Sequence, residues 1–243
     1  MLLLFVAAGF GLMFLAHTAP FPFILDALAP ARSLWRFPPR HGGGPTVYLT
    51  FDDGPNPDIT PALLDVLAQE SAVATFFLID RHLTADTAPI VRRMFAEGHA
   101  VALHSDTRRL MVLTPEELAG ELTAAADRIE QLTGQRPCPA FRPHGGWRSG
   151  QMYAGLARID HALVGWGWGL WDFNWYRTPN PSTLVDRLAR RISDGDIVVI
   201  HDGHHENPRA DRRYAVETAA MLIPDLRARG FQFGTVCEGL AQL

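Results

Sequence analysis

The sequence predicts an α/β fold, a distorted (β/α) barrel of about seven parallel strands. Short apolar runs alternate with helical patterns along the chain, which is typical of a parallel sheet, either open or closed into a barrel. The 243 residues, of which 47% are hydrophobic and 20% charged, suffice for one large core but not for two full domains. In both the open and the closed form, ligands bind beyond the carboxyl ends of the strands.

Each predicted strand is a short apolar, β-branched or aromatic run, and each predicted helix carries apolar side chains at helical spacing. The proline after Thr60 is typical of a first helical turn. The predicted strands are residues 47–51, 74–78, 100–103, 139–141, 162–166, 197–200 and 231–234. The predicted helices are residues 60–70, 87–97, 114–133, 149–159, 181–192 and 212–229.

The N-terminal segment, residues 1–28, is predicted to be a hydrophobic anchor or signal-like segment. Its first 25 residues contain one ionisable side chain, His17, and approach the roughly 20 apolar residues of a membrane span. An uncleaved anchor is favoured over a signal peptide, because no basic residue precedes the apolar run and Pro20 follows the small residue Ala19. A buried helix broken at Pro20 and Pro22 is the alternative.

Residues 29–45 form a Pro/Gly-rich linker, and the folded domain is predicted to occupy residues 46–243. Three arginines, Arg32, Arg36 and Arg40, follow the apolar segment. By the positive-inside rule, these arginines would place the part of the chain that follows the apolar segment in the cytoplasm.

Composition excludes several classes of function. The net charge of −4 predicts no broad basic surface and therefore no nucleic-acid partner. The chain has no lysine, so Schiff-base chemistry is excluded. Cys138 and Cys237 show neither zinc-ligand spacing nor a disulfide framework, and we interpret both as buried packing residues.

The first predicted strand ends in Asp52 and Asp53. Adjacent strand residues point to opposite sides, so one carboxylate can bind a metal while the other acts as a base. A turn without chemistry is the alternative interpretation. His104 ends a neighbouring strand, and an imidazole beside a carboxylate suits Zn²⁺ or another divalent transition ion.

Two further strand ends carry candidate catalytic residues. The guanidinium of Arg142 can hold a carboxylate bidentately and so orient Asp52, although a surface ion pair is the alternative. His201 follows an unbroken apolar strand, where an imidazole is well placed as a general acid. His204 and His205 are predicted to be loop residues.

Four tryptophans lie within ten residues: Trp166, Trp168, Trp171 and Trp175. Indole faces suit the apolar face of a sugar ring, although a buried aromatic strand explains Trp166 equally well. Trp171, Trp175 and the intervening Asp172 are therefore candidate substrate-binding residues.

Five short motifs together resemble the polysaccharide deacetylase family, also known as the NodB-homology domain or carbohydrate esterase family four. They are Thr-Phe-Asp-Asp-Gly-Pro from residue 50, His-Ser from 104, Phe-Arg-Pro from 141, Asp-Phe-Asn-Trp from 172 and Ile-His-Asp from 200. The resemblance covers residues 46–243 and implies a distorted (β/α) barrel. It also implies a divalent metal, usually zinc, that polarises the acetyl carbonyl and activates water.

The resemblance implies a role for each matching residue. Asp52 is the base, Arg142 its partner, Asp53 and His104 metal ligands, His201 the acid that protonates the leaving amine, and Gly145 the oxyanion-hole residue. The expected activity is removal of N-acetyl groups from an N-acetylglucosamine-containing saccharide: peptidoglycan, a chitin-like oligomer or a lipid-linked sugar. A protein with this substrate is expected at a membrane or in the cell envelope, which conflicts with the positive-inside argument.

One departure from the family pattern concerns the metal. Arg108 stands where the family has a second metal-binding histidine, and a guanidinium cannot act as a ligand. The metal would then rely on Asp53, His104 and water, or recruit Asp106 or His144, and we expect weaker metal binding.

A second departure concerns the acid. Asn174 replaces an aspartate, so the carboxylate that raises the pKa of His201 is missing unless Asp172 supplies it. Two alternative functions follow: a saccharide-binding protein that has lost catalysis, which Arg108 favours, and an O-acetyl esterase, because loops choose the acetyl position.

Overall fold

The computed structural model describes residues 9, 11, 33–39, 43–169, 172 and 178–243. The predicted anchor, residues 1–28, lies outside this set except for residues 9 and 11. In the described part of the chain, no helix has the length and apolarity that crossing a bilayer requires.

The core of the fold is one sheet in which every pair of neighbouring strands is parallel. Its strands are β1 Ser33–Leu34, β2 Thr46–Gly54, β3 Thr75–Ile79, β4 Ala100–His104, β5 Ala140–Arg142, β6 Ala162–Val164, β7 Trp168–Gly169, β8 Ile197–His201 and β9 Gln232–Phe233. The order is β1-β6-β5-β4-β3-β2-β8-β7, and β9 pairs with the start of β2.

The two ends of the sheet are joined. The Gly165 N–H donates to the Leu34 carbonyl at one end (2.7 Å), and the Gly167 N–H donates to the Ile197 carbonyl at the other (2.8 Å). Arg36 forms an isolated antiparallel bridge with Asp196. The predicted distorted (β/α) barrel is therefore confirmed, with nine described strands rather than about seven.

Among the described residues, six helices cover the outside of the sheet, as predicted, and a seventh, Val236–Leu240, which was not predicted, packs at one end of the barrel. They are α1 Thr60–Gln69, α2 Ala88–Ala96, α3 Pro115–Thr133, α4 Gly150–Arg158, α5 Pro181–Ala189, α6 Arg213–Ala228 and α7 Val236–Leu240. Local sequence explains their ends: Thr114 and Glu117 form a capping box at the start of α3, and Gly134 ends that helix in the left-handed conformation. Predicted and observed helix bounds differ at most by a few residues, a normal discrepancy at helix ends.

One predicted strand, residues 162–166, is interrupted after Val164. A Cβ on Gly165 would lie 2.2 Å from the Trp35 ring, so the chain passes this ring only with a glycine there. Strand pairing resumes at Trp168 in β7. The interruption is the place where the chain crosses from one end of the sheet to the other.

Strand β2 is buried along its whole length and shows how the two faces of the sheet are filled. Val47, Leu49 and Phe51 pack into the large apolar layer that includes the covering helices. Tyr48 belongs to a smaller cluster with Phe77 and other side chains that point into the barrel. By the same alternation, Asp52 faces the barrel interior.

The interpretation of the two cysteines as packing residues is wrong, because Cys138 and Cys237 form a disulfide with a Cα–Cα distance of 5.8 Å. They are 99 residues apart, so local spacing carried no sign of the bond. Cys138 lies two residues before β5. Helix α7 closes the amino-terminal end of the barrel, where the Val236 N–H donates to the Thr75 hydroxyl (2.8 Å). The disulfide ties this closing helix to the sheet.

Replacing both Cys138 and Cys237 with alanine should lower the free energy of unfolding by about 2–5 kcal/mol, because the open chain gains conformational entropy when unfolded. Urea denaturation followed by tryptophan fluorescence measures this loss. A reductant should destabilise the wild-type protein to a similar extent and leave the double variant unchanged. Equal stability of variant and wild type would show that the bond contributes nothing.

Candidate active site

The buried ion pair between Asp52 and Arg142 lies at the centre of the site. Arg142 is 0% exposed and Asp52 2% exposed, and an Nη1–Oδ1 distance of 2.6 Å joins them. Arg142 also donates to the Thr50 hydroxyl (2.7 Å) and to the Gly165 carbonyl (2.8 Å). Its guanidinium carbon stands 3.9 Å from the centre of the Phe77 ring. The predicted pairing of Arg142 with Asp52 is present, and the alternative of a surface ion pair is excluded.

Asp53 has a left-handed backbone with a φ of 70°, at an irregularity in the pairing of β2 with β3. Such a conformation costs a non-glycine residue about 1–3 kcal/mol and persists only where its surroundings impose it. His82 Nδ1 lies 3.1 Å from the Asp53 carbonyl oxygen. A Cβ on Gly203 would lie 2.0 Å from the same oxygen, so only glycine fits there.

The side chains of Asp53 and His104 meet, as predicted, but their strands are not neighbours, because β3 lies between β2 and β4 in the sheet. His104 Nδ1 lies 2.7 Å from the Arg142 carbonyl oxygen and therefore carries the proton. The lone pair of Nε2 then faces Asp53 Oδ1 at 3.2 Å, and this buried oxygen accepts no hydrogen bond from a described residue. Two electron-pair donors that face each other in this way fit a divalent cation between them.

The charges around Asp53 favour the carboxylate form. Burial raises the pKa of Asp53, but the surrounding histidines, His104 first and then His201 and His144, lower it to a value well below its usual range. A deprotonated carboxylate is the form that binds metal.

A third metal ligand is not formed in this structure. Within the described ranges, no three histidine, cysteine, aspartate or glutamate side chains are arranged to hold a metal ion. Arg108 is exposed, and its guanidinium carbon lies 5.5 Å from the centre of the Trp147 ring. Asp106, one of the two substitutes considered, is ion-paired with Arg81 (2.5 Å).

His201 lies beside Asp52, because the two residues are register partners on the adjacent strands β8 and β2. The Asp172 carboxylate accepts the backbone N–H of His201 (2.6 Å) and lies 3.1 Å from its Nδ1. Burial lowers the pKa of His201, but the charge and hydrogen bond of Asp172, with the charges of Asp53 and Asp52, raise it to about 9.

Asp172 therefore takes the place that Asn174 left open in the sequence, and its grouping with the substrate-binding residues stays a prediction. It is 2% exposed, and its Oδ1 lies 3.2 Å from His201 Nδ1. Trp171, Trp175 and Asn174 lie outside the described residues. Trp166 is 3% exposed and packs edge-on against Trp35, as expected of a buried aromatic strand.

Gly145 lies in a short 3-10 helix, His144–Gly146, directly after β5. Its φ of 59° is a left-handed conformation that favours glycine. The His144 N–H donates to the Ser105 hydroxyl (2.9 Å), which holds this turn against the end of β4. Gly145 therefore lies at the rim of the site, and its role in an oxyanion hole stays a prediction.

Sequence reasoning assigned no role to three residues that support the site: Thr50 and Asp202, which stand in the quoted motifs, and His82, which does not. Asp202 is fully buried, and its Oδ2 accepts the Thr60 hydroxyl at 2.5 Å. Burial, with the charges of Asp53 and Asp52, raises the pKa of Asp202 to about 7 against the effect of the Thr60 hydrogen bond. Each of the three is a polar residue in a strand or in the segment that follows one. This position is the sequence feature that could have identified them.

The chain is similar to characterised proteins over most of its length. A family described as polysaccharide deacetylase matches residues 40–164. A chitooligosaccharide deacetylase from Bradyrhizobium sp. (strain ANU 289) is 38% identical over 198 residues, which cover 78% of this chain and 88% of the relative.

Two solved structures have the same fold and a moderate sequence identity. The peptidoglycan deacetylase PdaC from Bacillus subtilis matches with a TM-score of 0.69 and 28% identity, over 82% of this chain and 91% of the other. A family 4 acetyl xylan esterase from Clostridium thermocellum, in complex with a cobalt ion, matches with a TM-score of 0.71 and 26% identity, over 81% and 91%.

Replacing Arg142 with methionine should lower the free energy of unfolding by about 3–5 kcal/mol, because Asp52 would remain as a buried charge without its partner. Adding Asp52→Asn should restore part of this loss, so the two effects should not be additive. Chemical denaturation of both variants measures the coupling.

The matched control is Arg109→Met, which removes an exposed ion pair with Glu121 and should cost no more than about 1 kcal/mol. If Arg142→Met were as mild as Arg109→Met, or if the double variant lost the sum of both effects, the buried pair would not have the importance assigned to it.

Proposed function

The chain belongs to the polysaccharide deacetylase family, and we propose that it hydrolyses the N-acetyl group of an N-acetylglucosamine-containing saccharide. The observation that carries this proposal is the pairing of Asp52 with Arg142 and of His201 with Asp172, side by side on β2 and β8. A base and an acid on one sheet edge are what hydrolysis of an amide requires. Peptidoglycan, chitin-like oligomers and lipid-linked sugars are the substrate candidates, and relatives named for the first two support them.

In this proposal Asp52 removes a proton from the attacking water. Arg142 binds Oδ1 of Asp52 at 2.6 Å and so fixes the orientation of the carboxylate, while the second oxygen accepts the proton. Gly145 contributes its backbone N–H to the developing oxyanion. Asp53 and His104 would hold a divalent metal ion, which when bound would polarise the acetyl carbonyl and activate water.

His201 protonates the nitrogen of the leaving amine. Asp172 holds Nδ1 and raises the pKa of the imidazole to about 9 against the effect of its burial, so His201 carries a proton at neutral pH. The transferred proton therefore comes from Nε2. The sugar amine leaves in its neutral form and acetate is the second product.

The disulfide is relevant to the side of the membrane on which the folded domain lies. Disulfides persist in oxidising compartments, so we place the folded domain on the outer side of the membrane, anchored by the N-terminal segment. Arg36, one of the three arginines of the positive-inside argument, binds the Asp194 carbonyl through Nε and Nη2 (2.9 and 2.7 Å) and the Asp196 carboxylate (3.2 Å). These contacts explain Arg36 by the fold, which weakens the argument for a cytoplasmic domain.

An O-acetyl esterase is the second candidate, and the similarity to an acetyl xylan esterase favours it. The same base can serve both reactions, whereas protonation of the leaving group matters more for an amine than for an alcohol. The two activities are separated by comparing acetate release from N-acetylated chitooligosaccharides with that from O-acetylated xylan.

Purified protein supplied with Zn²⁺ or Co²⁺ should release acetate from N-acetylated chitooligosaccharides or peptidoglycan. Asp52→Asn should reduce kcat by about 10²–10⁴-fold, because an amide cannot accept the proton of water. Asp127→Asn, which removes an exposed carboxylate on α3, is the control and should retain activity. No acetate from any N-acetylated saccharide would overturn the proposed function, and release by Asp52→Asn at the wild-type rate would overturn the role of Asp52.

The pH dependence of kcat/KM should test the acid. Activity should fall as the pH rises through about 9, because His201 must be protonated. Asp172→Asn removes the charge that raises the pKa while burial continues to lower it, so the alkaline limb should move to lower pH. Tyr214→Phe removes a neutral hydroxyl that accepts from Arg212 and contacts the Asp172 carboxylate (3.5 Å) and the His201 carbonyl (3.3 Å), but it removes no charge, so the limb should stay in place. If the alkaline limb of Asp172→Asn stayed at the wild-type pH, His201 would not be an acid whose pKa Asp172 raises.

A further inference from the structure

We infer that Arg108 selects saccharides with a negative charge, because its guanidinium binds a carboxylate or phosphate on or next to the sugar that loses its acetyl group. The inference rests on the proposed function and narrows its substrate class. A carboxylate is present on muramic acid residues without a peptide, and a phosphate on lipid-linked sugars. Both are oxyanions that a guanidinium can bind through two parallel N–H bonds.

The first argument is the position of Arg108 at the rim of the site. Arg108 begins a short 3-10 helix, Arg108–Val112, which follows His104 at the end of β4. The Ser149 hydroxyl, in the segment after β5, donates to the Met111 carbonyl of this helix (2.6 Å). The helix is therefore joined to the segment that carries the proposed oxyanion-hole residue.

The second argument is the Trp147 ring, which connects Arg108 with the reaction centre. The guanidinium carbon of Arg108 stands 5.5 Å from the centre of this ring, within the range of a cation–π contact. A Cβ on Gly145 would lie 3.4 Å from Trp147 Cδ1, so the indole lies against Gly145. One indole ring therefore separates the guanidinium from the residue that would bind the oxyanion.

The third argument is that the Arg108 cation is available to a ligand. Two other arginines in the segments after β3 and β4 are ion-paired, Arg81 with Asp106 (2.5 Å) and Arg109 with Glu121 (2.6 Å). Arg108 is exposed, and within the described ranges no ion pair or side-chain hydrogen bond involves its guanidinium. The indole neutralises no charge, so the charge of Arg108 and most of its five N–H donors remain available.

The fourth argument is the charge balance of the site, which does not oppose an anion. Asp52 is paired with Arg142 (2.6 Å), and Asp172 with His201 (3.1 Å). The charge of Asp53 would be compensated by the divalent ion that it is proposed to bind. The exposed guanidinium is therefore the charge that a substrate meets at this edge of the site.

A pair of saccharides that differ only in charge tests the inference. One is a peptide-free tetrasaccharide from peptidoglycan, and the other is the same molecule with its carboxyl groups reduced to alcohols. Arg108→Gln should lower the ratio of the two kcat/KM values, charged over reduced, by about 10-fold or more, because a charge-assisted hydrogen bond is lost. Arg108→Lys should keep part of the preference, since it retains the charge without the planar fork. Arg109→Gln, which alters the neighbouring exposed arginine, is the matched control and should keep the wild-type ratio.

A second pair distinguishes the source of the anion. It compares N-acetylglucosamine linked through phosphate to a short lipid with the corresponding neutral alkyl glycoside. An Arg108-dependent preference in the first pair alone identifies a carboxylate as the ligand, and one in the second pair alone identifies a phosphate. Ratios in Arg108→Gln that equal those of wild type in both pairs would overturn the inference and leave the proposed deacetylase intact.

Binding without hydrolysis separates this inference from the proposed function. Titration of Asp52→Asn with the same saccharides can be followed by tryptophan fluorescence, because Trp147 lies beside Arg108. The charged form should bind about 10-fold or more tightly than the reduced form, and adding Arg108→Gln should remove the difference. A preference that persists without Arg108 would overturn the inference. An Arg108-dependent preference in a protein whose wild type releases no acetate would instead overturn the hydrolysis and retain Arg108 as an anion-binding residue.

Discussion

The buried guanidinium of Arg142 is the constraint on which the rest of the site depends. A charge inside a barrel loses its hydration, and only an opposite charge and several hydrogen-bond acceptors can compensate for that loss. Asp52, Thr50 and the Gly165 carbonyl meet this demand, and the Phe77 ring lies against the guanidinium face. Strands β2 and β5 and the segment after β6 are thereby held in one arrangement. The ion pair that compensates for the burial of Arg142 therefore also fixes the orientation of Asp52, the proposed base.

A local backbone reversal allows two adjacent carboxylates to serve different partners. Asp52 points into the barrel, whereas the left-handed φ of Asp53 turns its side chain toward His104. His82 and Gly203 support this conformation at the Asp53 carbonyl, one by a 3.1 Å contact and the other by having no side chain. The strain at Asp53 is thus maintained by residues that follow β3 and β8 and are remote in sequence.

The features that depend on local pattern were predictable from the sequence. Alternating strand and helix patterns predicted a parallel sheet, open or closed into a barrel, and polar residues at strand ends identified Asp52, Asp53, His104, Arg142 and His201. Features that depend on contacts between distant segments were not predictable: the Cys138–Cys237 bond joins residues 99 apart, and His82 acts on a residue of another strand. Asp172 lies between these two classes. The sequence offered it as a substitute for the aspartate that Asn174 replaces, but only the folded structure shows its carboxylate beside His201 Nδ1. The roles of Trp171 and Trp175 stay predictions, because both lie outside the described residues.

The pairing of Asp52 with His201 across β2 and β8 has a consequence for how such a protein can diverge. Neighbouring strands lie about 4.8 Å apart, so the sheet itself sets the separation between the proposed proton acceptor and proton donor. The loops that follow the strands are not constrained by strand pairing and can lengthen, shorten or exchange residues. Preference for one saccharide over another can therefore change over generations while the distance that the chemistry requires is inherited unaltered.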